Sequence, residues 1–195
     1  MILPIVAYGH KALRAENKEI EELTPEIKTL IDNMFETMYQ ASGVGLAAPQ
    51  VNQNLRLFIV DGSPFAEDME DEKDMEQLRN FKKVFINPVI EEEFGDDWSF
   101  EEGCLSIPQI REDVVRPEKL RITYRDENFN EKTEEYSGIA ARIIQHEYDH
   151  IEGILFIDHL SGMKKRLLKR KLQNIAEGKI RVGYKMIFPK LSKKP

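Results

Sequence analysis

Only one cysteine, Cys104, is present, so the chain cannot close an internal disulfide, and a reducing cytoplasm is the expected compartment. No apolar run approaches the ~20 residues that span a bilayer, so no membrane segment is expected. The opening Met1-Ile2-Leu3-Pro4-Ile5-Val6 has neither a basic stretch nor a small-residue cleavage site, the marks of a secretory signal. There is no internal repeat and no low-complexity linker. Histidine is scarce, with four in 195 residues.

What is present suits a globular body. The chain is 41% hydrophobic and 32% charged, and its length supports one domain with a proper core. The net charge of −7 hides an asymmetry. Residues 161–195 carry twelve Lys/Arg against Glu177 alone, a net of +11, which leaves −18 on residues 1–160. An acidic body with a basic tail suggests a polyanionic partner for the tail.

Two of the four histidines fall in Gln145-His146-Glu147-Tyr148-Asp149-His150. The spacing of His146 and His150 places both imidazoles one turn apart on one helix face, where they can share a metal ion. Glu147 stands beside the first ligand, within reach of water at the metal. The helix is predicted from Gly138, after the cap candidate Ser137, to Gly153. Ile139 and Ile143 precede His146 on the same stripe, so the metal is expected to face an apolar wall. A catalytic metal needs a third protein ligand and an open position. Cys104, the lone cysteine, is the candidate, set in Glu101-Glu102-Gly103-Cys104, which reads as an exposed loop.

Elsewhere, Thr24 and Pro25 start a helix whose apolar positions run to Met38 and which ends near Ala41-Ser42-Gly43. Gly43 to Gln50, with two glycines, small residues and a proline, suits a backbone that approaches a ligand closely. Leu55–Asp61 is a strand, and residues 62–80 read as a polar acidic loop. Val84–Ile90 reads as a strand pair or bent strand, and Arg111–Arg116 and Leu120–Tyr124 as further short strands. Lys132–Tyr136 completes a hairpin after a turn at Asp126-Glu127-Asn128. The expected fold is α+β, with short antiparallel strands and hairpins packed around a central metal-binding helix. A last helix runs from Ser161-Gly162 to Gly178. Met163, Leu167, Leu168, Leu172 and Ile175 form its apolar stripe, and lysines and arginines fill the rest.

Together these motifs resemble peptide deformylase. Gly43-Val44-Gly45-Leu46-Ala47-Ala48-Pro49-Gln50, Glu102-Gly103-Cys104-Leu105-Ser106 and Gln145-His146-Glu147-Tyr148-Asp149-His150 stand in the order of that family's three motifs. The basic last helix is similar to that of the bacterial type 1 branch. The resemblance implies hydrolytic removal of the N-formyl group from the formylmethionine of nascent polypeptides, with release of formate. It implies metal ligation by Cys104, His146 and His150, with Fe²⁺ in the cell and Zn²⁺, Ni²⁺ or Co²⁺ able to replace it. Glu147 is then the proton carrier, and Gln50 and the Leu105 N–H are the oxyanion donors. Gly45 would meet the substrate's main chain like an added strand. Val44, Phe100, Ile139 and Ile143 are candidate walls of a methionine pocket, and Arg111 lies near the substrate backbone. Arg116 is expected to pair with Asp149 and hold the metal helix. Residues 1–160 are the expected catalytic part, and 161–195 a basic helix and tail of the same domain. Ribosomal docking near the exit tunnel through that helix, no membrane contact and a monomeric state complete the expectation.

Two other readings remain open at this level. A general metallopeptidase would use the same two histidines with a third His or Glu after the helix, for which His159 is available. A ribosome-associated binding protein with a structural metal would need a fourth ligand, and His10 has no partner nearby in sequence.

Overall fold

The computed structural model describes residues 1–69 and 72–189. Glu70 and Asp71 of the acidic segment and tail residues 190–195, with Lys190, Lys193 and Lys194, lie outside the described residues. In chain order the elements are β1 (Ile5–Val6), α1 (Pro25–Gln40), β2 (Gly45–Ala47), β3 (Leu57–Asp61) and α2 (Glu72–Arg79). They continue with β4 (Lys82–Cys104), β5 (Ile107–Arg125), β6 (Glu131–Ser137), α3 (Gly138–Ile151), α4 (Gly162–Ala176) and β7 (Met186–Ile187). The fold is α+β. Strands β2-β3-β4-β5-β6 form one antiparallel sheet in that order, and β1 and β7 form a separate parallel pair.

Helix α3 packs against the sheet through one apolar cluster that contains Phe58, Phe85, Leu120, Ile122, Ala140 and Ile144. Helix α1 covers the sheet's first strands with Ile31, Met34 and Met38 against Leu46, Leu57 and Ile59. A third cluster joins α4 (Leu168, Leu172, Ile175) to Val6, Leu13, Ile107 and Phe156.

Several expectations are corrected. The short strands read between residues 84 and 124 belong to two long ones, of 23 and 19 residues, joined as a hairpin by Leu105 and Ser106. They look short in the sequence because Pro88 and Gly95 interrupt β4. The ladder absorbs each with a register shift, between Ile86 and Val89 and between Phe94 and Asp97. The acidic segment is not a plain loop: Ser63–Asp68 form a 3₁₀ helix and Glu72–Arg79 form α2. Ala66 and Leu78 bury themselves in the main cluster, with Met69 and Met75 packed against it. Three of the five stripe residues of α4 are buried, while Met163 and Leu167 are 73% and 76% exposed.

Helix ends follow local chemistry. Thr24 caps α1 by accepting from the Ile27 N–H at 3.3 Å. Ser137 occupies the cap position of α3, yet its side chain makes no capping bond. The other end of α3 closes as expected at Gly153, whose φ is +71°. There the Gly153 N–H reaches His150 O and the Ile154 N–H reaches Asp149 O, a Schellman pair that reverses the chain right after the second motif histidine. Among the described residues, no helix is long and apolar enough to cross a membrane.

Candidate metal centre and active site

The β4–β5 hairpin ends beside α3, and this juxtaposition builds the site. Cys104 closes β4, and His146 and His150 sit on consecutive turns of α3. One ligand atom from each of the three lies within 4.8 Å of the others. Cys104 Sγ is 3.2 Å from His150 Nε2. The Nδ1 of His146 is 2.9 Å from Glu102 Oε2, which leaves its Nε2 free to ligate a cation. One thiol and two imidazoles fit a borderline divalent cation, and three protein donors leave a fourth position open, the pattern of a catalytic site.

Glu147 is 4% exposed, and its Oε2 has no hydrogen-bond partner among the described residues. Burial pushes its carboxyl up to about 7, opposed by His146 and reinforced by Glu102. A buried carboxylate poised near neutrality beside three candidate ligands suits proton transfer. Gln50 lies in a 3₁₀ turn over Ala48–Val51 and is 2% exposed. Its Oε1 accepts from the Ala47 N–H at 2.8 Å, which orients the amide. Its Nε2 then points to Ser106 Oγ at 3.3 Å and Cys104 Sγ at 3.5 Å.

Behind these three side chains is a buried charge network. Arg116 donates to Glu102 through Nε at 2.7 Å and Nη2 at 3.1 Å, and to Asp149 through Nη1 at 2.8 Å. Arg142 Nη1 donates to Glu102 Oε1 at 2.9 Å and to Val114 O at 2.7 Å, while Nη2 reaches Trp98 O at 2.8 Å. Burial alone would raise the Glu102 carboxyl. Hydrogen bonds from His146 and Arg116, with their charges, outweigh it and hold that carboxyl well below the usual range. Glu102 is thus buried and ion-paired, not part of an exposed loop as its Glu-Glu-Gly setting suggested. Sequence reasoning did not single out Glu102 or Arg142. Two signals were available: Glu102 shares a strand face with Cys104, and Arg142 stands one turn before His146.

The candidate pocket residues also converge. Ile139 and Ile143 belong to the cluster under the sheet, and Val44 and Phe100 pack against it. Arg111 is exposed on β5, opposite Gly103 and 3.6 Å from Glu101, so it sits at the rim. His159 does not join the centre. Its Nε2 lies 2.7 Å from Asp149 Oδ2, and it is Cys104 that groups with His146 and His150 as a possible metal site. His10 accepts from the Ala12 N–H in a local cap.

Residues 2–166 match the family model described as polypeptide deformylase. A peptide deformylase of Christiangramia forsetii is 58% identical over 194 residues, covering 99% of each chain. One of Flavobacterium psychrophilum is 55% identical over 192 residues, covering 97% of this chain and 99% of its own. Among solved structures, Arabidopsis thaliana peptide deformylase 1B superposes with a TM-score of 0.78 at 34% identity, covering 91% of this chain and 92% of its own. A Legionella pneumophila peptide deformylase gives 0.78 at 36% identity, over 93% and 99%. Likeness that runs nearly end to end, over a chain whose three motifs meet at one centre, shows that this chain belongs to the polypeptide deformylase family.

Proposed function

We infer that Cys104, His146 and His150 hold one divalent cation, that Glu147 carries the proton, and that Gln50 and the Leu105 N–H stabilise the oxyanion. The chain is a peptide deformylase, a metal-dependent hydrolase that removes the formyl group from an N-terminal methionine. A cation held by these ligands supplies the Lewis acidity that brings water ionisation into the neutral range. Glu147 accepts the proton of the attacking water and delivers it to the departing amine. Gln50 Nε2 and the Leu105 N–H donate to the oxygen that gains charge as the formyl carbon becomes tetrahedral. The observation that carries this reading is the convergence of the three candidate ligand atoms within 4.8 Å, beside a buried carboxylate oxygen without a partner among the described residues.

Val44, Phe100, Ile139 and Ile143 line the pocket for the methionine side chain. Gly45 belongs to β2, the sheet's edge strand, where an extended peptide can add its main chain, and Arg111, exposed on β5, is a candidate contact to that peptide's backbone. Arg116 and Asp149 hold α3 from behind. Fe²⁺ is the ion in the cell, with Zn²⁺, Ni²⁺ or Co²⁺ as substitutes. Elemental analysis of chain purified under anaerobic conditions tests the assignment. One ion per chain is expected, lost in His150→Ala and kept in Glu147→Gln; an ion retained by His150→Ala contradicts it.

The chain works as a cytoplasmic monomer on nascent chains, with the basic face of α4 against ribosomal RNA. Deleting the region after Ser161 would also strip Leu168, Leu172 and Ile175 from the core. Charge removal is therefore the cleaner test. Arg166→Gln, Lys169→Gln and Arg170→Gln together should weaken ribosome binding and flatten its salt dependence; unchanged binding would sink the docking role.

A further inference from the structure

The turn that carries Leu105 is gripped from outside by the two ends of the chain. The Tyr8 N–H, two residues after β1, donates to Ser106 O at 2.8 Å. The Tyr184 hydroxyl, two residues before β7, donates to Leu105 O at 2.8 Å. Strands β1 and β7 pair with each other, through Ile5 N–H to Lys185 O at 2.9 Å and Ala7 N–H to Ile187 O at 2.8 Å. The parallel pair is therefore a brace whose two sides each hold one carbonyl of the two-residue turn. Gln109 Nε2, just past the turn, also reaches back to Arg181 O at 3.0 Å. On the inner side, Gln50 Nε2 faces Ser106 Oγ and Cys104 Sγ.

We propose that Tyr184 is a positioning residue for deformylation: its hydroxyl fixes the Leu105 carbonyl and thereby the turn that aims the Leu105 N–H at the oxyanion. This rests on the assignment of that N–H as a donor. Tyr184 lies beyond residues 2–166, the stretch that the family model matches, so the tail adds to the site something outside that match. A two-residue turn has few internal bonds, and its peptide planes can rotate unless external partners hold both carbonyls. Donor placement is where small errors matter, since a displacement of about 1 Å can cost ~10²-fold in rate. The hydroxyl acts on a carbonyl one peptide away from the donor, so its loss should loosen the turn without removing the donor.

The test uses the full-length, metal-loaded chain and compares Tyr184→Phe, which removes only the hydroxyl, with Tyr184→Ala, which also removes the ring. In Tyr184→Phe we expect kcat on a formyl-Met peptide to fall about tenfold with KM and metal content unchanged. Amide hydrogen exchange at Leu105 to Ile107 should quicken in the same variant. Full kcat and unchanged exchange in Tyr184→Phe would overturn the proposal, even if Tyr184→Ala is impaired, because ring packing would then be the whole contribution. A fall in kcat matched by metal loss would overturn it too. Exchange reads the clamp without reference to turnover, so this proposal and the donor assignment of Leu105 fail separately.

Discussion

Gly45 lies directly against Glu147: a Cβ at position 45 would stand 2.5 Å from Glu147 Oε1 and 2.7 Å from its Cγ. The glycine of the first motif makes room for the buried carboxylate of the third. Glu147 has nowhere to retreat, because it is 4% exposed.

Gly45→Ala should therefore act on chemistry more than on folding. The added methyl displaces the carboxylate, and kcat should fall by ~10²-fold, the usual cost of a misplaced group. Overpacking should cost ~1–3 kcal/mol. Steady-state kinetics with denaturant unfolding checks both, and wild-type kcat in the variant would contradict the account.

Arg116→Ala should damage both stability and metal affinity. It leaves Glu102 and Asp149 short of a partner in the interior, which costs ~3 kcal/mol when a buried pair is broken from one side. Glu102 also orients His146, so metal affinity should weaken ~10–100-fold. Chelator competition measures that arm. Unchanged affinity would remove Arg116 from the site.

Gln50→Leu removes a donor while keeping similar bulk. With Ala47 N–H and Ser106 Oγ left unpaired as well, some stability is lost, but the main effect should be a kcat ~10²–10³-fold lower with KM little changed. A raised KM with kcat unchanged would instead indicate ground-state binding.

Acid stability should depend on Glu134. Its carboxylate accepts from Tyr124 OH at 2.5 Å, from Tyr136 OH and from Lys83 Nζ at 2.9 Å. Burial would raise its pKa, but these hydrogen bonds lower it from 4.5 to about 2. A carboxyl depressed in the folded state stabilises fully above its unfolded value. That contribution disappears as pH falls from about 4.5 towards 2. Glu134→Gln should flatten the pH dependence of the unfolding midpoint within that window and leave kcat intact. An unchanged slope would contradict the role.

Helix α3 was legible because its signal is local: two histidines at helical spacing and an apolar stripe within its fourteen residues, and a glycine two positions past its end. Cys104 could be singled out as the candidate third ligand because it is the lone cysteine and stands in a motif, whereas His159, the competing candidate, lacked one. Glu102 was opaque for the opposite reason. Its partners Arg116, Arg142 and His146 lie 14, 40 and 44 residues away, and only the β4–β5 register and the packing of α3 bring them together. Helix α2 was masked by its own charge. Its carboxylates read as a solvated loop, while the spaced Ala66, Met69, Met75 and Leu78 carried the weaker signal of burial. Tyr184 had no signal at all, since a hydroxyl on a carbonyl 79 residues away follows no periodicity.

The most direct test of the central claim is formate release from a formyl-Met dipeptide, by wild type and by Glu147→Gln, with bound metal quantified in both. The account predicts rapid release by the wild type and near-silence in a variant that still holds its ion. A folded, metal-loaded wild type that releases no formate, or a Glu147→Gln variant that turns over at the wild-type rate, would contradict it.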